Sequence, residues 1–405
     1  MSLHILGLGT ALPRHSIEQT TAMELAKELS TQTEEQRRLL PVLYRRTGVK
    51  RRHSVVLDSG HDFAILEETS SSGLRQLQSG SEFPEVTMLA PPDPLAGEHV
   101  TQSFYPAAVH EEDRGPTTLE RMERYATHAG PLAAQAAIEA LEHAGIAASE
   151  ITHLVTVSCT GFQAPGVDLE LIRELDLPAS TARSHIGFMG CHGALNGLRL
   201  ARAYADSEPG ACILLVAVEL CSLHHQYGWH PDRIVANALF ADGAAAVVGR
   251  GSCQGDLHES SAAPLSWKIT ANGSLVLPDS EDLMSWRIGN HGFEMMLSAS
   301  VPDLIRQSLR PWLSEWLFQN GLRLEQVGSW AIHPGGPRIL WACEEALNLK
   351  PHHLRPSRDI LSLYGNMSSP TVLFILKDLM QASAERPCVG LAFGPGLTIE
   401  AMLVE

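Results

Sequence analysis

Residues 187–197, GFMGCHGALNG, place four glycines around Cys191 at the start of a run of helix-forming residues. Apolar residues continue at helical spacing from Ala194 to Ala205, and Pro209 then ends the pattern. Unpaired N–H groups and the positive end of a helix dipole favour a thiolate at a helix start, and the same groups can hold an oxyanion. We therefore predict a nucleophilic cysteine, with a small buried structural residue as the alternative.

This stretch belongs to a pattern of strands and helices that occurs twice. Each copy has an apolar strand, a polar residue at a helix start and a second apolar strand. The parts are spaced by 40 and 20 residues in the first copy and by 39 and 21 in the second, which favours two related halves over chance recurrence in an α/β protein. The parts begin at Ile151, Cys191 and Ala211 in the first copy and at Val327, Asn366 and Pro387 in the second.

The second half contributes two polar side chains to the expected site. His333, in IHPGGP, lies at the end of a predicted strand, and Asn366, in YGNMSS, lies at the position equivalent to Cys191. Strand ends that face helix starts are where α/β folds place chemistry. An imidazole beside a thiol lowers the thiol pKa, and a carboxamide adds a fixed donor. The three residues together predict a nucleophilic site.

Composition limits the classes of function. The chain has 405 residues, of which 44% are hydrophobic, enough for two domains or one duplicated fold. A formal net charge of −16 argues against nucleic acid and anionic membranes as partners. We find no secretory signal and no apolar run long enough to span a bilayer, so we expect a cytoplasmic protein. The seven scattered cysteines form no CxxC pair, which favours reduced thiols.

We assign residues 1–255 to a first half that carries the cysteine and residues 256–405 to a second half that carries the histidine and asparagine. Residues 60–118 are rich in Ser, Gly, Pro and charges, so we expect a long and mostly irregular excursion. The histidines in SLHHQYGWHPD, residues 222–232, lack the spacing of a zinc helix. We therefore expect no metal site.

Five motifs, in the same order along the chain, resemble those of the type III polyketide synthases, the chalcone synthase family. Other segments of the sequence resemble the bacterial members of that family more than the plant members. The motifs are GFMGC, ALFADGAAA, IHPGGP, LYGNMSS and LAFGPGLTIEA. The resemblance implies an α/β thiolase-like fold with duplicated α-β-α-β-α layered halves, a homodimer and no cofactor. It also implies an acyltransferase that uses an acyl-CoA starter and malonyl-CoA in iterative decarboxylative Claisen condensation.

The resemblance also implies roles for individual residues. Cys191 would accept the starter acyl group, while His333 and Asn366 would bind the malonyl thioester oxygen and stabilise the enolate left by decarboxylation. A basic cluster consists of Arg45, Arg46, Lys50, Arg51 and Arg52. Arg46 and Lys50 from this cluster, which could instead be a solvated face, would hold CoA phosphates.

The family's cavity positions can be matched to this sequence as well. Phe240 corresponds to one gatekeeping phenylalanine, and Met295 stands where the second is expected. Ala164 occupies the position of a residue that reaches across the family's dimer interface, so that contact is not expected here. Trp286 and Met295 favour a slim fatty acyl starter and a pyrone or resorcinol-type product. The remaining cavity positions fall on Cys159, Thr160, Cys221, His224 and Phe293.

Two other functions are compatible with a Cys-His-Asn trio. A ketoacyl synthase III-like enzyme would carry out a single condensation with acyl carrier protein, but HPGGP, NMSS and FGPG speak against it. A catalytically inactive acyl-CoA-binding homologue would retain binding without carbon dioxide release. A hydroxymethylglutaryl-CoA synthase would need a glutamate base near the cysteine, and none stands at a motif position.

Overall fold

The computed structural model describes residues 2–59, 100–251 and 267–405. The boundary between the two predicted halves at residues 255 and 256 lies outside the described residues, as does the part of the predicted excursion from 60 to 99. Of the rest of that excursion, residues 102–117 are irregular, as expected. In the described ranges, no helix combines the length and apolar character needed to cross a bilayer.

The strands differ in burial, and several of them, such as residues 153–158, 212–220, 329–332 and 388–394, are buried on both faces. They are β1 (Leu3–Ala11), β2 (Ser16–Glu18), β3 (Arg51–His53), β4 (Asp58–Ser59), β5 (Val100–Thr101), β6 (His153–Ser158), β7 (Ala182–Gly187), β8 (Cys212–Leu220), β9 (Asp242–Gly251), β10 (Trp267–Val276), β11 (Met284–Gly289), β12 (Gly292–Leu297), β13 (Ser329–Ile332), β14 (Cys388–Gly394) and β15 (Thr398–Val404).

The helices lie between these strands. They are α1 (Gln19–Ser30), α2 (Glu34–Arg46), α3 (Thr118–Ala144), α4 (Val167–Glu174), α5 (Gly193–Ser207), α6 (Pro231–Leu239), α7 (Val301–Gln319), α8 (Pro337–Leu347), α9 (Arg355–Tyr364) and α10 (Thr371–Gln381).

Among the described residues, nine strands form one sheet in the order β13-β14-β15-β10-β1-β9-β8-β6-β7. In the first half, β6 pairs with β8 in parallel and β8 pairs with β9 antiparallel. In the second half, β13 pairs with β14 in parallel and β14 pairs with β15 antiparallel. The same arrangement of three strands therefore occurs twice, as the sequence repeat predicts.

Helices α5 and α10 form the middle layer of the molecule. One hydrophobic cluster joins their apolar faces to strands of both halves, from β6 and β8 to β14 and β15. A second cluster packs α3 and α4 on the outer side of the first-half strands, and a third packs α7 and α8 on the outer side of the second-half strands. The layers thus run α-β-α-β-α, and both helix starts of the middle layer lie in the interior.

The local sequence determines where helix α3 begins and ends. A capping box between Thr117 and Glu120 begins it, and Gly145, in the left-handed conformation at φ 62°, ends it. Ile138 is 38% exposed, whereas Ala137 and Leu141 beside it are buried. Alanines occupy much of the buried face, since β1 packs so closely that a Cβ at Gly7 would lie 2.1 Å from the Ala140 carbonyl oxygen.

Candidate active site

A sharp reversal of the backbone presents Cys191. Strand β7 ends at Gly187, a short 3-10 turn covers Gly190–His192, and α5 begins at Gly193. Gly190 has φ 66°, and a Cβ there would lie 2.6 Å from the Pro395 Cδ atom. Only glycine fits both the conformation and the space. The helix start predicted at Cys191 is confirmed, two residues before α5.

The Cys191 thiol differs from the expected thiolate. Among the cysteines in residues 2–59, 100–251 and 267–405, only Cys191 is partly exposed. Even so, burial of its sulfur raises the thiol pKa to about 11, and the neighbouring polar side chains of Ser368 and Asn366 offset only part of this. Desolvation disfavours the charged form more than the helix start favours it. The expected low pKa is therefore wrong for the resting protein, in which Cys191 is a neutral thiol.

Asn366 is fixed through its backbone. Its N–H donates to the Leu239 carbonyl oxygen at 2.9 Å, and its own carbonyl oxygen accepts from the Ala241 N–H at 2.9 Å. Its side-chain Oδ1 accepts from the Ser368 N–H at 2.8 Å. The Nδ2 donor is buried and has no hydrogen-bond partner within the protein. The amide is therefore held rigidly with its donor group free.

The helix that follows Asn366 starts later than the repeat predicts. Helix α10 begins at Thr371, because Ser368 takes a left-handed conformation at φ 56° and a turn precedes the helix. Asn366 is thus five residues from its helix start, while Cys191 is two residues from its own. Here the prediction of equivalent helix-start positions is only approximate.

His333 follows directly after β13. Its N–H donates to the Leu391 carbonyl oxygen of β14 at 2.8 Å, which fixes the backbone. The residue is 0% exposed, and neither ring nitrogen has a hydrogen-bond partner within the protein. Burial, followed by the nearby charge of His192, lowers the His333 pKa to about 3. The imidazole is therefore neutral at physiological pH, with one nitrogen able to donate and the other to accept.

The fold brings the segments that carry these residues together. The Asn366 side chain lies close enough to the Cys191 sulfur to influence its pKa, and strand β14, which holds the His333 backbone, packs against the turn that carries Cys191. A thiol, a neutral imidazole and an amide donor are thus carried by neighbouring segments in a buried region. This set can accept an acyl group on sulfur and stabilise negative charge on a thioester oxygen.

A carboxylate that sequence reasoning missed lies beside them. Glu219, near the end of β8, is fully buried and accepts hydrogen bonds from the Cys159 N–H at 2.9 Å, the Thr160 hydroxyl at 2.7 Å and the Ser369 hydroxyl at 2.8 Å. Burial raises its pKa, and these hydrogen bonds oppose that shift. The sequence pattern that could have revealed it is a lone carboxylate near the end of the otherwise apolar strand CILLVAVEL.

Cys159 and Thr160, both predicted cavity residues, belong to this network. The Cys159 sulfur lies 3.2 Å from Glu219 Oε1 and 3.6 Å from the Ser368 hydroxyl oxygen, which also contacts Cys191. Burial and the neighbouring carboxylate raise the Cys159 pKa well above its ordinary value. Cys159 is therefore also a thiol, close to the first one.

The other predicted cavity residues share one cavity. Trp286 and Met295 face each other across the β11–β12 hairpin, and the indole Nε1 donates to the Cys159 carbonyl oxygen at 2.7 Å. His224 stacks on Phe293 with ring centroids 4.1 Å apart. The cavity thus adjoins the network around Glu219. The predicted residues that line it are Cys221, His224, Phe240, Trp286, Phe293 and Met295.

Arg46 and Lys50 do not line this cavity. Both are exposed, and Gly48 between them lies beside Pro337 at the start of α8, on the segment that follows His333. Arg52, from the same basic cluster, differs because it turns inward and its guanidinium donates to the Asn237 and Phe240 carbonyl oxygens. The cluster therefore divides into an exposed part and a structural part.

The histidines of the SLHHQYGWHPD segment show no metal-binding arrangement. His224 Nε2 pairs with the Thr160 carbonyl oxygen at 2.7 Å, and its Nδ1 accepts from the Phe293 N–H at 2.9 Å. Within the part of the chain that the structure describes, no group of three His, Cys, Asp or Glu side chains is placed to hold a metal ion.

Comparison with known families identifies both parts of the chain. Residues 104–252 match the profile of the N-terminal domain of chalcone and stilbene synthases, and residues 268–405 match the profile of their C-terminal domain.

Curated relatives point the same way. The chain is 35% identical over 298 residues to the alpha-pyrone synthesis polyketide synthase-like Pks18 of Mycobacterium tuberculosis, covering 72% of this chain and 75% of that one. It is 38% identical over 279 residues to the 1,3,6,8-tetrahydroxynaphthalene synthase of Streptomyces peucetius, covering 67% of this chain and 72% of that one.

Solved structures share the fold. PKS-I from the brown alga Ectocarpus siliculosus superposes with a TM-score of 0.82 at 28% identity, over 100% of this chain and 98% of that one. The C-terminal type III polyketide synthase domain of Steely1 from Dictyostelium superposes with a TM-score of 0.80 at 24% identity, over 100% and 99% of the two chains. The duplicated, layered α/β fold expected from the sequence is confirmed.

Proposed function

Since this chain belongs to the chalcone and stilbene synthase family, the type III polyketide synthases, we propose that it adds malonyl-CoA units to an acyl group held on Cys191. The protein is an acyltransferase. The roles of its residues, its starter and its product are the proposal.

The observation that carries the proposal is the unpaired state of two buried side chains. Both ring nitrogens of His333 and the Nδ2 of Asn366 have no partner within the protein. Buried polar groups are nearly always hydrogen-bonded, because leaving one unpaired costs about 1–3 kcal/mol. Such groups beside a thiol are explained by a ligand that pairs with them during the reaction.

Loading begins with the neutral thiol. As the Cys191 sulfur attacks the thioester carbonyl of the starter, the thiol proton must leave, and the free nitrogen of the neutral His333 imidazole can accept it. The carbon–sulfur bond to CoA breaks, and CoA departs as the thiol after taking that proton from His333, which becomes neutral again. Backbone N–H groups at the start of α5 stabilise the transient oxyanion that forms on the thioester carbonyl.

Extension uses the same donors on the second substrate. The thioester oxygen of malonyl-CoA accepts from His333 and from Asn366 Nδ2. When the bond to the carboxylate breaks, carbon dioxide leaves and the electron pair remains as an enolate on that oxygen. The enolate carbon then attacks the acyl group on Cys191, and the Cys191 sulfur leaves as a thiolate. Donors fixed before the reaction stabilise the enolate more than the substrate. No metal or cofactor is required.

A fatty acyl starter and a pyrone or resorcinol-type product fit the cavity best. Trp286 fills part of it, and Met295 offers a flexible wall. A relative that is 35% identical is named for alpha-pyrone synthesis, which supports the product class.

A homodimer fits the exposed surface near the site. Strand β7 lies at the end of the sheet order, and Phe162, Phe188 and Met189 beside it are exposed apolar side chains. Contiguous apolar surface and an open sheet edge favour association with a second copy. Light scattering of the purified protein tests this proposal. The cytoplasmic location expected from the sequence stays a prediction.

The function is tested with purified protein, malonyl-CoA and a panel of aliphatic and aromatic acyl-CoA starters, without carrier protein. We expect products that contain several malonyl-derived units, identified by mass spectrometry. A single-condensation product formed only with acyl carrier protein would favour a ketoacyl synthase III-like enzyme. Acyl-CoA binding without carbon dioxide release would instead indicate an inactive acyl-CoA-binding homologue.

A further inference from the structure

The cavity next to the site continues toward the N-terminal helices. It has a volume of about 110 Å³ and extends from the hairpin residues Trp286 and Met295 to α1, which no sequence motif connects with the reaction. Helix α1 therefore borders the same cavity as Trp286 and Met295, and the part of the cavity at α1 is called the extension below.

One face of α1 lines this extension. Ala22, Leu25, Ala26 and Leu29 all border the cavity, and their spacing of three, one and three residues places them on one side of the helix. The two alanines leave space between the leucines. The surface that α1 offers to the cavity is thus apolar and uneven in depth.

Polar groups around the cavity are already paired with the protein. The Tyr105 hydroxyl donates to the Ser222 carbonyl oxygen at 2.7 Å, and Arg233 forms an ion pair with Glu294 at 3.1 Å. The two nitrogens of His224 are both hydrogen-bonded, as described above, and burial lowers the pKa of its imidazole to about 3. These groups have little left to offer a polar ligand, whereas an alkyl chain needs no partner.

We propose that the inner face of α1, formed by Ala22, Leu25, Ala26 and Leu29, binds the end of an unbranched alkyl tail on the starter acyl group. The proposal rests on the function proposed above and names the substrate class of the same site. The tail passes Trp286 and Met295 and reaches α1, so this helix sets the longest starter that the enzyme holds.

The proposal predicts a dependence of affinity on chain length. Each buried methylene contributes about fourfold in affinity, until the tail meets the wall at α1. Leu25 is the most useful residue to change, because it borders the cavity and is only half-buried. A larger side chain there fills the space, and a smaller one extends it.

The experiment measures binding of butyryl-CoA and dodecanoyl-CoA by calorimetry to the full chain carrying Cys191→Ala, which prevents acyl transfer. Leu25→Trp should lower the ratio of dodecanoyl-CoA to butyryl-CoA affinity at least tenfold. Leu25→Ala should keep that ratio high and favour still longer tails, tested with hexadecanoyl-CoA. Thr21→Trp, at an exposed position of the same helix, is the matched control and should leave the ratio unchanged.

An affinity ratio that is the same in Leu25→Trp and Thr21→Trp would overturn the proposal. Circular dichroism shows whether Leu25→Trp folds. If it does not, Leu25→Ala tests the proposal instead. A preference between dodecanoyl-CoA and hexadecanoyl-CoA that is the same with and without Leu25→Ala would then overturn the role of α1. Failure of the proposed function is recognised separately. In that case the enzyme without any substitution forms no product from any starter. The dependence of binding affinity on chain length still tests whether α1 contacts the alkyl tail.

Discussion

The protonation states of Cys191 and His333 are set by burial. The thiol pKa is raised to about 11 and the imidazole pKa is lowered to about 3, so both groups are neutral at pH 7. A preformed thiolate–imidazolium pair would require the opposite shifts. The protein thus keeps a proton on sulfur and a free acceptor on His333 until a thioester arrives.

Alkylation of Cys191 should follow this protonation state. Below a pKa of about 11 the thiolate fraction rises tenfold per pH unit, so labelling by iodoacetamide should accelerate about tenfold per unit between pH 7 and pH 9. Peptide mapping should also show Cys191 labelled before the buried Cys159 and Cys221, since it alone of the described cysteines is partly exposed. A rate that is flat above pH 7 would instead indicate a low-pKa thiolate.

Trp286 should control the size of the product. Its indole is held by the hydrogen bond to the Cys159 carbonyl oxygen and packs edge-on against His224 and Phe293. Trp286→Ala removes this bulk, and we expect longer polyketides or acceptance of aromatic starters, measured by mass spectrometry. An unaltered product profile from a variant that is well folded by circular dichroism would contradict this role.

The turn that carries Cys191 depends on a glycine that has no room for a side chain. Gly190→Ala places a Cβ 2.6 Å from Pro395 at φ 66°, so both strain and a clash displace the turn. Gly210→Ala is the matched control, because its φ is 86° and no atom lies within 4 Å of the added Cβ.

Both variants should lose roughly 1–2 kcal/mol of stability from left-handed strain. Only Gly190→Ala should also lower kcat, by more than tenfold, because it moves the nucleophile. Thermal unfolding and product formation measure the two effects. Equal activity in the two variants would show that the position of the turn does not matter.

Local patterns explain which elements the sequence could predict. Helix α5 and strands β6, β8, β13 and β14 follow from periodicity and glycine placement, and the repeat places Cys191 and Asn366 in related halves. The late start of α10 was not predictable, because it depends on the left-handed Ser368.

At the level of the whole molecule, tertiary contacts decide the site. The sequence and its family resemblance predict the trio of Cys191, His333 and Asn366, and the structure places Asn366 near Cys191 and holds His333 on a strand that packs against the Cys191 turn. Neither predicts the network around Glu219, because its partners come from separate segments of the chain. Nor does sequence predict the raised Cys191 pKa, since desolvation depends on every layer packed around the sulfur.

Exposed basic residues in a molecule of negative net charge are candidates for binding the phosphates of CoA. The chain carries a formal charge of −16, yet Arg46 and Lys50 are both exposed on either side of Gly48, which lies beside Pro337. If they hold CoA phosphates, the double variant Arg46→Ala with Lys50→Ala should raise the KM for CoA substrates and weaken its dependence on salt, with kcat nearly intact. Steady-state kinetics at low and high ionic strength measure this. An unchanged KM at low salt would assign these residues to a solvated face.

The division of labour between Cys191 and the two unpaired donors is the central claim, and carbon dioxide release from labelled malonyl-CoA tests it most directly. Cys191→Ala should abolish polyketide formation and keep measurable release, since His333 and Asn366 still bind the thioester oxygen. His333→Ala and Asn366→Ala should each slow release by about 10²–10³-fold, the effect of losing one oxyanion donor. Release at the parental rate in both donor variants would contradict the account.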